Sequence, residues 1–180
     1  MLAGRVNASR GGYTMNETNV ARGRVPPGEP KLVLPFLAPF YDVVRDLSYP
    51  LMRFTLGGLL LFHAFTSGKL TGKVSVAAFA AGLAKRGLEP SMLFSYLVFF
   101  TETVGSVCLI LGLFTRFAAA AIAIELAVIT FAVYWPQGFH FAQTPGGGAE
   151  LPFLWGIMVF FIALRGGGPY SLDRKIGWEL

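Results

Sequence analysis

Three ionisable side chains stand inside apolar runs: Glu102 in FFTETVGSVCLILGLF, His63 in LLLFHAF and Glu125 in AIAIELAVI. A carboxylate at the centre of a bilayer costs about 2.5 to 3.5 kcal/mol on insertion scales, so one that persists there faces a partner, a cavity or a ligand. Glu102 is flanked by Thr101 and Thr103 and followed by Gly105, whose missing side chain admits a neighbouring helix or a flat ligand one turn away. Two readings fit. Glu102 is either a hydrogen-bonding or proton-exchanging carboxyl that serves quinone chemistry or proton movement, or packing glue bonded to His63 or a threonine. His63 is a second polar contact, a proton carrier or a satisfied bundle histidine, and Glu125 either joins the same layer or faces another subunit. A bis-histidine haem needs a second buried histidine, whereas His140 falls in a loop, and Cys108 is the only cysteine. No metal site is therefore expected. Nucleotide loops, zinc-hydrolase motifs and nucleophile elbows are also missing, so the residues admit both a catalytic and a non-catalytic subunit.

The elements that must position these groups are membrane helices. Of 180 residues, 54% are hydrophobic and 14% charged, and the mean hydropathy is +0.57. That is too apolar for a soluble domain of this size. The net charge of +5 is spread between apolar runs rather than gathered in an aromatic-laced patch. Anionic lipid headgroups are the expected counter-charge, and nucleic acid is not.

Residues 1–30, rich in Gly, Arg, Asn and Pro, read as a disordered basic tail. Residues 31–50 mix Leu, Phe and Tyr with Asp42, Arg45 and Asp46 and read as an amphipathic interfacial segment. A four-span domain follows over 51–180, with spans expected at 51–68, 92–114, 117–135 and 151–164, and a surface helix at 73–90. The fold class is an all-α integral membrane protein, a four-transmembrane-helix bundle with amphipathic interfacial helices. Four spans put both termini on one side. Eleven Lys and Arg fall on that side and four on the other, which orients both termini toward the cytoplasm.

At about 1.5 Å of rise per residue, His63 lies about 18 Å in from Leu51, Glu125 about 12 Å in from Phe117 and Glu102 about 15 Å down from the outer end of its span, one central layer of a core about 30 Å thick. Phe99, Phe100 and Gly105 beside Glu102 offer a flat apolar slot with a polar contact, as a quinone needs. Arg53, Arg116 and Arg165 are expected to snorkel to cytoplasmic headgroups. Lys69, His140 and Glu150 surround the outer mouth, where a Lys69 to Glu150 ion pair would join the first span to the fourth.

With these residues in view, the chain resembles the DoxX family of small four-span bacterial membrane proteins. The resemblance rests on RFTLGGLLLFHAFTSGKL, on FTETVGSVCLILGLFTR, and on GGGAELPFLW with GGGPYSLDR, and covers residues 53–174. It implies a membrane subunit of an oxidoreductase assembly. The namesake relatives are linked to thiosulfate oxidation coupled to quinone, and others to membrane-associated thiol and oxidative-stress complexes. Arg53, Lys69, Glu102, Arg116 and Glu150 fall on family positions, His63 on a place where His or a small residue is common, and Glu125 outside the motif. The expectation is thus a redox-linked inner-membrane subunit with a quinone site at Glu102, His63, Gly105, Arg53, Lys69 and Glu150, working with other membrane-protein subunits. The alternatives are a non-enzymatic accessory or scaffold subunit, and a small-molecule or proton pathway through the bundle.

Overall fold

Apolar residues recur along the first long helix at Tyr49, Leu56, Leu60 and Ala64, with Arg53 in the same stripe, and that spacing of three and four puts them all on one buried face. The computed structural model describes residues 32–140 and 147–179, and the backbone of 9–10 and 13–14. It divides into two units, 1–42 and 43–180. In the first, β1 (Ser9–Arg10) pairs antiparallel with β2 (Tyr13–Thr14), and a proline-initiated 3-10 turn covers Pro35–Leu37. The rest of the expected disordered tail over 1–30 lies outside the described residues.

Helix α1 (Ala38–Thr66) runs for 29 residues with Pro50 inside it. The sequence separates an interfacial segment from a span near this proline, because an interior proline forfeits a hydrogen bond and costs about 3 kcal/mol. One continuous helix forms instead, since the buried stripe continues across the proline from Tyr49 to Arg53. Helix α2 (Val76–Ala84) starts at Ser75, whose hydroxyl accepts from Ala78 N–H at 3.1 Å, a side-chain cap. It is shorter than the surface helix expected over 73–90 and packs against the first half of α3.

Helices α3 (Ser91–Leu111) and α4 (Thr115–Gln137) are 21 and 23 residues long, and both are long and apolar enough to cross a membrane. Only 33% of each apolar window is buried, which suits a lipid-facing helix better than the core helix of a soluble domain. Each contains a π-helical turn, Thr101–Gly105 in α3 and Ile129–Tyr134 in α4. Helix α5 (Glu150–Arg165) packs along α4, and α6 (Leu172–Ile176) closes the described chain.

The core joins Leu56 and Leu60 of α1, Leu109 of α3, Ala119 and Ile122 of α4, and Val159 and Ile162 of α5. Close approach of α1 to α3 depends on Gly57, where an added Cβ would lie 2.8 Å from Ile110 Cγ1 and 2.9 Å from Ser106 O. Outside this core, Phe54, Phe62, Phe117, Phe131, Phe160 and Phe161 are exposed. An aromatic surface on this scale needs an apolar solvent.

Candidate functional site

The residues after α1 build one end of the site. Gly68 takes a left-handed conformation (φ +87°) and Leu70 N–H returns to Ala64 O at 3.0 Å, so the chain folds back over the helix end. Lys69 is thereby turned inward. Its ammonium lies 2.6 Å from both carboxylate oxygens of Glu102, with side chains only 7% and 5% exposed. It also stands 5.0 Å from the centroid of the Phe79 ring on α2, a cation–π contact.

Glu102 belongs to the π-helical turn of α3, a local widening that often marks functional positions in helices. The preceding residue, Thr101, reaches α4: its hydroxyl is hydrogen-bonded to Glu125 Oε2 and also lies 2.8 Å from Leu97 O and 3.1 Å from Val98 O. Glu125 Oε1 is buried without a hydrogen-bond partner. Lys69, Glu102, Thr101 and Glu125 thus form one polar cluster that joins the turn after α1 to α3 and α4.

This cluster borders a cavity of about 730 Å³ whose lining is mainly apolar, with Leu60, Phe94, Leu97, Ile129, Val133 and Trp155 among its walls. His63 lines it too, although its ring is exposed and makes no hydrogen bond among the described residues. His63, Glu102 and Glu125 all line this cavity.

Other expected site residues lie elsewhere. Lys69 pairs with Glu102, and no Lys69 to Glu150 ion pair forms; Glu150 begins α5, its N–H donating to Phe139 O at 2.9 Å. Gly105 faces α4, where an added Cβ would lie 3.4 Å from Ile122 Cδ1, so its small size serves helix packing and not a ligand. Phe99 packs edge-on against Phe79 and Phe100 is exposed; neither lines the cavity, which opens on the face carrying Leu97 and Val98.

Arg53 does not snorkel. It is 2% exposed, donating to Leu109 O at 3.2 Å and Tyr170 O at 3.3 Å beneath Gly112. Around it the C-terminal segment forms a clasp. Asp173 accepts from Phe114 N–H at 2.7 Å, Thr115 N–H at 2.9 Å and the Thr115 hydroxyl at 2.6 Å, capping the start of α4. Arg116 donates to Leu164 O at 2.6 Å and pairs with Glu179 at 3.2 Å, while Arg165 lies 4.1 Å from the Tyr49 ring centroid and the Tyr49 hydroxyl donates to Gly166 O. Arg53, Arg116 and Arg165 thus hold the fold together around the α3–α4 link and the end of α5, apart from the cavity cluster. The PYSLDR stretch carries the sequence signal for this clasp, an acid just past a run of glycines.

The fold and the site define a helical membrane protein with a buried acid–base cluster bordering a mainly apolar cavity. Residues 50–135 match the DoxX family model. The match takes in His63, Lys69, Glu102 and also Glu125, and ends before Glu150 and the C-terminal clasp. An uncharacterized protein of Haemophilus influenzae is 35% identical over 74 residues, which are 41% of this chain and 55% of that relative. The chain thus spans about half the length of the curated relative it matches. No solved structure matches it.

Proposed function

We propose that the protein is a four-span subunit of a redox-linked bacterial inner-membrane complex and holds a quinone-type ligand in the cavity beside Glu102 and Glu125. One observation carries this reading: a mainly apolar cavity of about 730 Å³ is bordered by a buried cluster of polar groups. Ligand sites have this character, a few hundred cubic ångströms of apolar wall with a few placed polar groups. The fit is chemical as well as spatial. A ring and the start of a prenyl tail suit the walls of Leu60, Phe94 and Trp155, and Glu125 keeps one buried oxygen without a partner. When bound, a quinone supplies two-electron redox chemistry; the chain's own residues orient it, exclude water and offer carboxyls through which protons pass. In this reading α1, α3, α4 and α5 each cross the bilayer, and both termini are cytoplasmic.

A second reading is favoured by the Lys69–Glu102 pair itself. Both oxygens of Glu102 are already bonded, which is what an accessory or scaffold subunit needs from an interhelical lock. One preparation separates the two. The full chain, gently solubilised, is analysed by mass spectrometry for copurifying subunits and extracted quinone, beside Glu102→Gln. Quinone in the wild-type extract supports the ligand reading, and its loss from Glu102→Gln with the assembly intact ties it to this cluster. Stable assembly without quinone in either form replaces it with the scaffold reading.

A further inference from the structure

Thr101 is hydrogen-bonded to Glu125 and Gly105 faces Ile122, so α3 and α4 run antiparallel and are tied near their middle. To one side of the tie they are close: the π-helical turn Thr101–Gly105 packs on α4, and a Cβ added at Gly105 would meet Ile122 at 3.4 Å. To the other side they part. Phe94, Leu97 and Val98 of α3 and Val128, Ile129 and Val133 of α4 all wall the same cavity, while the first half of α3 packs on α2. The two helices thus form a cleft whose closed end is the Thr101–Glu125 bond beside the Lys69–Glu102 pair.

The rim of the cleft faces outward. Leu97 is 50% exposed and Val128 48%, although both wall the cavity, and Ile124, one turn from Val128, is 67% exposed. Wall residues that are half open to their surroundings mark an opening, and an opening framed by Leu, Ile and Val calls for hydrocarbon outside it. Volume sets a second constraint. At roughly 30 Å³ per non-hydrogen atom, the share of a water molecule in the liquid, 730 Å³ holds about 24 atoms. A substituted benzoquinone with a decyl tail has about 23 and fits inside, whereas a polyprenyl quinone with about 60 overflows it.

We propose that the cavity is open sideways to the bilayer: it takes the ring and the start of the tail of a long-chain quinone directly from the membrane, and the rest of the tail leaves between Leu97 and Val128 into the acyl chains. This rests on the ligand reading above and names its ligand class, a membrane-resident polyprenyl quinone.

The test follows Trp155, a cavity wall residue, in the full chain carrying Trp135→Phe and Trp178→Phe and placed in lipid nanodiscs. Quenching is titrated against the mole fraction of decylubiquinone or of ubiquinone-10 in the bilayer, and its saturating component reads occupancy. The two half-saturation points are expected within about threefold of each other, because a tail beyond the rim needs no space in the protein. Leu97→Phe with Val128→Phe narrows the rim, and is expected to weaken ubiquinone-10 by about tenfold while decylubiquinone stays within about threefold. Saturation by decylubiquinone alone in the protein with its native rim shows an enclosed chamber, which overturns this inference and leaves the cavity reading standing. Loss of both quinones alike, or of neither, in the rim variant overturns the rim as the path of the tail. Saturation by neither quinone overturns the cavity reading and this inference with it. If the double rim variant does not fold, Val128→Phe alone carries the comparison.

Discussion

The Lys69–Glu102 pair is the most consequential contact at the level of single residues, because both charges are withdrawn from solvent. Removing one partner of a buried pair leaves an uncompensated charge and costs about 3 to 5 kcal/mol, whereas replacing both by apolar groups of similar volume is close to neutral. Glu102→Leu and Lys69→Met should each lower the unfolding midpoint in detergent clearly, and the double variant should recover most of the loss. Additive losses in the double variant would show that the two side chains are held by other contacts. Glu102→Gln, which keeps an acceptor for the ammonium but not its counter-charge, should cost less than Glu102→Leu. His63→Ala is expected to change stability by no more than about 0.5 kcal/mol, since the ring is exposed and unbonded; thermal unfolding checks it directly. The acids and the histidine were legible as polar residues in apolar runs. Their lysine was not, because a residue beyond the last helical turn reads as part of the mouth. Only the reversal at Gly68 brings it inside.

Among the elements, the link between α3 and α4 is where local sequence and tertiary structure are most tightly coupled. Gly112 has φ +68°, and an added Cβ there would stand 1.7 Å from Arg53 Nη1. A substitution must therefore strain the backbone and displace a buried guanidinium together. Gly112→Ala should destabilise more than Asp173→Ala, which removes a helix cap worth about 1 to 2 kcal/mol and leaves the turn in place. Chemical denaturation of the two variants side by side gives the order; the reverse order would mean that the cap, not the turn, holds the clasp. Hydropathy located α3 and α4 because each is a long uninterrupted apolar run. It missed the continuation of α1 past Pro50, where tertiary burial of the 49–64 stripe outweighs a local helix breaker. The arginines misled for a related reason: periodicity puts Arg53 near a span end, but only the packed clasp shows carbonyls waiting for it.

For the molecule as a whole, the structure refines the charge argument behind the proposed orientation. Lys69 and Arg53 are buried, so neither meets headgroups, but they fall on opposite sides of the expected topology and the excess of cations on the terminal side keeps its sign. Three helices, α3, α4 and α5, separate Lys85 from Lys175, and both lysines are exposed. If each helix crosses once, the two positions lie on opposite faces of the membrane. In a Cys108→Ser background, Lys85→Cys should react with a membrane-impermeant maleimide on intact spheroplasts, and Lys175→Cys only after lysis. Reversed accessibility would invert the orientation while preserving three crossings. Labelling of both before lysis would mean an even number of crossings between them. The 16-residue α5 is then the helix to question, because at about 1.5 Å per residue it spans roughly 24 Å, the least of the three, and crosses only if the bilayer thins or the flanking glycines extend it.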